Sequence, residues 1–257
     1  MDIIVCMKQV PDLVEELELN DDSTGLNRDF LKLVVNEFDD WALEQALLLK
    51  EQHGGTVTCL ALDTPDVDNT LFTAYAKGAD KAIKITGDFA GGATSHHAAK
   101  LFAQAIKTIP HDLILTGVQS AEDLDGQTGV LLATYLGIPH VSVVTGVEAN
   151  GTLRVATVRK EYAGGMLAEF EVDLPAVLGI QAAKQAPRYA PISKVRALTK
   201  EKKIDTLSLS DGAADAGITI RRMFKPESGR HAEMIDGDVD AVVERVVGIL
   251  KEKAILK

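Results

Sequence analysis

The sequence predicts an α/β protein, built on a doubly wound, mostly parallel Rossmann-like sheet with an antiparallel hairpin and an extended C-terminal arm. Short apolar runs alternate with helical patterns up to Gly146, which is the signature of a parallel sheet with crossover helices. Two strand-like segments then flank the turn 162–165, whose two glycines favour a hairpin. Beyond residue 203, only one amphipathic helical pattern remains, at 239–253, which indicates an arm.

The elements follow in order from these patterns. Residues 3–7 form an apolar run typical of a central strand, which ends before Pro11 because proline cannot extend a ladder. An acidic, turn-rich excursion follows, and then a helix at 38–53 with Asp39 and Asp40 in the first turn, where the helix dipole favours acids. The other predicted elements are strands at 57–62, 82–85, 113–115, 141–144 and 176–180 and helices at 67–76 and 94–108.

Composition excludes several classes of function. The chain has 257 residues with 27 Lys+Arg against 38 Asp+Glu, and this net charge of −11 argues against binding to nucleic acids or anionic membranes. No apolar run approaches the ~20 residues of a membrane span. Cys6 and Cys59 lie in apolar runs outside any CxxC motif, and the first residues lack a basic signal-peptide region, so we expect a cytoplasmic protein with reduced thiols.

The stretch 112–140 is the strongest candidate for a binding site. A buried strand ends at Gly117, a loop with three carboxylates follows, and a helix then opens at Gly126. Ligands of α/β sheets bind at such strand ends, and a helix N-terminus favours a phosphate. The carboxylates could bind a metal or accept hydrogen bonds from a ribose or from backbone N–H groups. The chain contains no GxGxxG after the first strand, no Walker A motif, no assembled catalytic constellation and no convincing set of metal ligands.

Six segments resemble the β subunit of electron transfer flavoproteins, and together they extend over nearly the whole chain. They include the motifs Asn-x-x-Asp, Gln-Thr-Gly and Pro-Arg-Tyr, and they span 5–12, 26–30, 35–51, 74–83, 117–129 and 174–197. The resemblance implies an electron carrier rather than an enzyme. Such a chain forms a heterodimer with an α subunit, which holds most of the shared FAD. It relays electrons from acyl-CoA-type dehydrogenases to a membrane quinone reductase or another acceptor.

The resemblance also implies a division of the chain and a set of site residues. Residues 1–183 would form an adenine-nucleotide-binding domain, 184–203 a basic partner-recognition loop, and 204–257 an arm that packs on the α subunit. Partner recognition would fall on Pro187, Arg188, Tyr189 and the apolar anchor Ile192, which is surrounded by positive charge. The nucleotide-binding residues would be Cys6, Asn36, Glu37, Phe38, Asp39, Leu62, Gly117, Gln119, Ser120, Glu122, Asp123, Asp125, Gly126, Gln127 and Thr128.

Within that set, Gly126, Gln127 and Thr128 would hold a phosphate, whereas Glu122 and Asp123 would order the loop or face the sugar. We expect AMP, because Gln127-Thr128 suits the AMP-holding type and Asp125 near the phosphates would repel an additional phosphate. The alternative is an electron-bifurcating β subunit that holds a second FAD and oxidises NADH. The chain departs from the family pattern at Glu37, Leu124, Asp125 and Ala163.

Two other classes of function remain open. An ATP pyrophosphatase-like enzyme on the same sheet topology would need a Ser-Gly-Gly-x-Asp-Ser loop after the first strand, where the chain has Lys8-Gln9-Val10-Pro11. A regulatory adenine-nucleotide sensor would bind AMP reversibly without a partner.

Overall fold

The computed structural model describes residues 1–29, 31–89, 92–150, 154–209, 220–226, 229 and 232–256. The chain divides into two compact units, Met1–Arg222 and Met223–Lys257. Phe30, which belongs to the family-like segment 26–30, and part of the predicted arm lie outside the described residues.

The first unit contains two sheets and five α-helices among its described residues. In chain order, the elements are β1 (Asp2–Met7), β2 (Gln9–Pro11), β3 (Leu33–Val35), α1 (Glu37–His53), β4 (Thr56–Leu62), α2 (Val67–Lys77), β5 (Lys81–Thr86), α3 (Ser95–Ile106), β6 (Leu113–Gly117), α4 (Thr128–Leu136), β7 (His140–Asn150), β8 (Val155–Tyr162), β9 (Met166–Asp173), β10 (Ala176–Ile180), α5 (Ile192–Glu201) and β11 (Asp205–Ser208). A short 3-10 turn at Ala163–Gly165 joins β8 to β9.

The main sheet has the strand order β11-β5-β4-β1-β6-β10-β7-β8-β9. The strands from β11 to β7 run parallel, whereas β8 and β9 form the antiparallel hairpin. Leu43 of α1 and Leu71 of α2 belong to the buried cluster on one face, and Phe102 of α3 and Leu132 of α4 belong to the cluster on the other. This arrangement confirms the predicted doubly wound, mostly parallel sheet. It also explains the continuous apolar sequence of β1, whose successive side chains enter opposite cores.

The order of the strands creates a binding crevice. From β1 the chain builds outward through β4 and β5, and it then crosses to β6 on the other side of β1. The connections that follow β1 and β6 therefore leave in opposite directions, which opens a crevice at the C-terminal ends of these two neighbouring strands.

Two predicted elements differ from the structure. Strand β7 extends to Asn150 rather than ending at 144, because its second half pairs with β8. The basic segment 184–203, predicted as a loop, becomes helix α5 from Ile192, where Val195 is buried and Leu198 packs against the core. The many lysines and arginines of this segment made its short apolar stripe hard to detect in the sequence.

The segment after 203 also contributes to the sheet, although the sequence showed no core-sized element there. Strand β11 pairs in parallel with β5, with Leu207 opposite Ile85. A four-residue edge strand with mostly exposed side chains carries too little apolar sequence to stand out from a loop. Residues 205–208, which the sequence analysis assigned to the arm, therefore belong to the main sheet.

The second unit contains helix α6, Val239–Glu252. It begins where the Asp238 side chain accepts a hydrogen bond from the Ala241 N–H at 2.9 Å. None of its residues is buried within the described part of the chain, and the apolar side chains of Val239, Val243 and Val246 are exposed. No helix of the described residues combines the length and the apolar character needed to cross a membrane.

Candidate functional site

A cavity opens at the predicted crevice, where β1, β4 and β6 end side by side. Its empty volume is about 890 Å³, part of which is open to solvent. Each of these strands contributes a residue at its C-terminal end, namely Cys6, Leu62 and Gly117. The C-terminal ends of parallel strands at a switch point are where α/β sheets bind their ligands.

Most of the residues predicted from the sequence come together around this cavity. Those that line it are Cys6, Asn36, Asp39, Leu62, Gly117, Gln119, Ser120, Glu122, Asp123, Gly126 and Thr128. The structure places four predicted residues elsewhere in the described chain. Glu37 and Phe38 line a neighbouring groove, Gln127 precedes α4, and the Asp125 carboxylate lies 3.3 Å from the Ser95 hydroxyl at the start of α3.

Asp39 is the central support of the cavity. Its Oδ1 accepts a hydrogen bond from the Gly117 N–H at 2.8 Å, and its Oδ2 accepts one from the Lys8 N–H at 2.8 Å. One buried carboxylate thus joins the first turn of α1 to the chain immediately after β1 and to the end of β6. Burial raises the pKa of Asp39 from 3.8 to about 7, and the two backbone donors oppose this rise.

Gly117 permits this close approach. A Cβ atom at this position would lie 2.5 Å from Asp39 Oδ1 and 2.7 Å from Phe38 Cβ. Any side chain there would push α1 away from β6. The glycine that ends the strand is therefore required by packing as well as by the cavity.

Asn36 fastens the loop that follows β6. Its Nδ2 donates to the Gln119 carbonyl at 2.9 Å, while its own N–H donates to the Lys8 carbonyl at 2.9 Å. The side chain is buried, where a hydrogen bond is rarely left unmade. Asn36, which precedes α1, therefore holds both the loop after β6 and the chain after β1.

The rim of the cavity carries balanced charges. Lys8 Nζ pairs with Asp123 and lies 3.3 Å from the Glu122 carboxylate. Arg28, from the acidic excursion, lies 3.4 Å from the same Glu122 side chain. The sequence analysis did not identify Arg28 as a site residue, although it is a cation within an acidic stretch and lies in the family-like segment 26–30. The two carboxylates are thus engaged with cations from segments that are distant in sequence.

The far end of the cavity suits an anion. Gly126 has φ +61°, and a Cβ there would lie 2.7 Å from the Val118 carbonyl oxygen, so the loop turns tightly before α4. Among the described residues no side chain caps α4, and its first turn contains no acid, which leaves its first N–H groups available to a ligand.

Thr116 supplies a further polar group that the sequence analysis missed. Its side chain is buried and lines the cavity, and its hydroxyl has no hydrogen-bond partner within the described part of the chain. A buried hydroxyl without a partner is costly, so a ligand that hydrogen-bonds to it would be stabilised. The residues present therefore fit a nucleotide with an anionic group.

The predicted recognition residues lie on a different part of the first unit. Tyr189 is 81% exposed and Ile192 is 65% exposed, and both flank the start of α5. Arg188 lies between them and β10, but its guanidinium turns back onto α1, where it contacts Glu44 and Glu51.

Comparison with known proteins identifies relatives along the full chain. Residues 26–211 match the electron transfer flavoprotein domain family. The electron transfer flavoprotein subunit beta of Methylophilus methylotrophus is 35% identical, covering 98% of each chain, and that of Clostridium acetobutylicum is 33% identical, covering 98% of this chain and 99% of the relative. The acryloyl-CoA reductase electron transfer subunit gamma of Anaerotignum propionicum is 30% identical, covering 100% of both chains.

Proposed function

The chain belongs to the electron transfer flavoprotein family as a β-type subunit, and we propose that it carries electrons as one half of a heterodimer with an α subunit. The electrons would come from a dehydrogenase of the acyl-CoA type and pass to a quinone reductase or another acceptor. The end-to-end similarity to β subunits carries this proposal, because the names of these relatives describe electron transfer and a subunit of a larger assembly. The relative named for acryloyl-CoA reductase supports a redox partner that acts on CoA esters.

FAD supplies the electron-carrying group of this family, and in our proposal the α subunit holds most of it. This chain would then bind the α subunit, cover part of its FAD and position the dehydrogenase. Mixing the heterodimer anaerobically with a reduced acyl-CoA dehydrogenase tests the function. We expect the flavin absorbance of the heterodimer to bleach, and a flavin that remains oxidised with every dehydrogenase offered would contradict the proposal.

For the cavity of this chain we propose AMP as the ligand. The Thr116 hydroxyl and the first N–H groups of α4 would hold its phosphate, together with Gly126 and Thr128. The sequence argument relied on Asp125 to repel further phosphates, but that carboxylate lies against Ser95. Glu122 and Asp123 also line the cavity, but Lys8 and Arg28 balance their charges. The proposal of AMP therefore rests on Gln127-Thr128, which suits the AMP-holding type.

The alternative is a second FAD in the same cavity, as in an electron-bifurcating subunit. The observation that favours it is the position of Asp125, which leaves the turn at Gly126 free of a carboxylate facing the cavity. Identification of the bound nucleotide separates the two possibilities.

The helix that opens at the proposed phosphate site is held close to the sheet, and this gives a first prediction. A Cβ at Gly129 would lie 3.0 Å from Thr116 Oγ1 and 3.1 Å from His140 Nε2. Gly129→Ala should therefore displace the first turn of α4 and weaken AMP binding about tenfold. Calorimetric titration of AMP into nucleotide-free heterodimer measures the change.

The matched control is Gly146→Ala, where the nearest atom to the new Cβ is Arg159 Cβ at 3.7 Å. It should bind AMP with wild-type affinity. Equal affinity in both variants would show that the N-terminus of α4 does not bind the phosphate.

Ile192 gives a second prediction, because it is an exposed apolar side chain within a basic segment. Ile192→Ala should raise the KM for the dehydrogenase about tenfold, the effect of removing one interface hot spot. The affinity between the α and β subunits should stay unchanged. Leu167→Ala, which truncates an exposed apolar side chain outside the basic segment and the arm, is the control. A wild-type KM in Ile192→Ala would exclude Ile192 as the anchor.

A further inference from the structure

We propose that Glu44 is a positioning residue for docking of the dehydrogenase, an inference that rests on the function proposed above. In this proposal, the buried Glu44 carboxylate locks the bend at 185–188 against helix α1. The lock holds Tyr189 and Ile192 in place before the partner arrives.

Glu44 is a carboxylate in the middle of a packed helix, and its side chain is only 1% exposed. Four groups of the bend donate hydrogen bonds to it. They are Gln185 Nε2 at 2.9 Å, the Arg188 N–H at 2.9 Å, Arg188 Nε at 2.9 Å and Arg188 Nη2 at 2.8 Å. A buried charge without hydrogen-bond partners is strongly destabilising. The bend at 185–188 therefore has to keep its donors on the Glu44 carboxylate.

A second clamp lies beyond the exposed residues. In α5, Val195 is buried and Leu198 packs against the core cluster of α1 and α2. After the helix, the Tyr75 hydroxyl donates to the Lys203 carbonyl at 2.8 Å and accepts from the Ala82 N–H at 2.9 Å. Both ends of the segment are therefore tied to the body of the unit.

Tyr189 and Ile192 lie between the two clamps and point into solvent, being 81% and 65% exposed. On a free loop, these side chains would have to be ordered each time a partner binds. Two clamps remove that cost in advance, which increases affinity without any added contact. The lock therefore acts on recognition of the partner rather than on the transfer of electrons.

Glu44→Gln in the heterodimer tests this role, because glutamine keeps the shape and removes the charge. We expect the KM for the dehydrogenase to rise about fivefold or more, while kcat stays within about twofold of wild type. Hydrogen exchange at the amides of 185–192 should accelerate, with exchange in β1 and β6 unchanged. A loss of global stability would instead accelerate exchange throughout the sheet.

The matched control is Glu51→Gln. Glu51 accepts from Arg188 Nη1 at 2.7 Å but is 55% exposed, so this peripheral pair should contribute little. The control should keep the wild-type KM and the wild-type exchange of 185–192. Arg188→Lys serves as a second variant of the lock if Glu44→Gln does not fold, with the same changes expected.

If Glu44→Gln, or Arg188→Lys in its place, keeps the wild-type KM for the dehydrogenase, the proposal is wrong. This holds whatever the hydrogen exchange at 185–192 shows. Failure of the proposed function gives a different result, since the wild-type heterodimer would then accept no electrons from any dehydrogenase. In that case unchanged exchange at 185–192 in Glu44→Gln would still contradict the lock.

Discussion

Replacing Asp39 by alanine should lower the free energy of unfolding by about 3 kcal/mol, because it removes a buried side chain and leaves two partly buried N–H groups without acceptors. These donors are the backbone N–H groups of Lys8 and Gly117, which the carboxylate holds at 2.8 Å each. The ends of β1 and β6 would lose their common support, so the nucleotide should also be lost. Denaturant unfolding of the purified chain and the nucleotide content of the heterodimer measure the two effects.

The pH dependence of Asp39 is a separate signature of the same site. Burial raises its folded-state pKa from 3.8 to about 7, so between these values the folded carboxyl binds a proton that the unfolded one has released. Its contribution to the free energy of unfolding should therefore fall as the pH rises from about 4 to about 7. In Asp39→Asn this component should disappear.

Glu37→Ala is the control, because Glu37 is an exposed acid in the same turn of α1. It should change the free energy of unfolding by less than about 0.5 kcal/mol. If Asp39→Ala is as stable as this control, the strand ends are not held by Asp39.

The second large effect is expected at α6, whose apolar side chains lie exposed in the described chain. Val243→Asp combined with Val246→Asp should weaken the α–β heterodimer at least about a hundredfold, since two charges would replace apolar surface that we expect the α subunit to bury. The free energy of unfolding of the isolated β chain should not change, because neither valine is buried within it. Sedimentation or calorimetric titration with the α subunit measures the affinity.

Glu244→Gln, a change at an exposed acid of the same helix, should leave the affinity of the heterodimer within about twofold of wild type. An undiminished heterodimer in the double aspartate variant would show that the arm does not pack on the α subunit through α6.

The parallel sheet could be predicted because its strands are covered on both faces. The continuous apolar run of β1 has no other stable location than the centre of such a sheet. The family resemblance assigned Cys6, Leu62 and Gly117 to one site. Strand ends at a switch point converge, and the structure has these three residues around one cavity.

The direction of individual side chains could not be predicted in the same way. Asp125 and Glu122 are acids of one loop, yet Asp125 lies against Ser95 whereas Glu122 contacts Lys8 and Arg28. These partners come from three distant segments, and no local pattern encodes their approach. The same applies to Arg188, whose orientation is set by Glu44, 144 residues away in sequence.

The most direct test of the account is to denature the purified heterodimer and identify the released nucleotides. We predict one FAD and one AMP per heterodimer, with the AMP lost selectively in Asp39→Ala. Two FAD without AMP would contradict the assignment of the cavity and indicate a bifurcating subunit. A stable heterodimer that releases neither flavin nor adenine nucleotide would contradict the account as a whole.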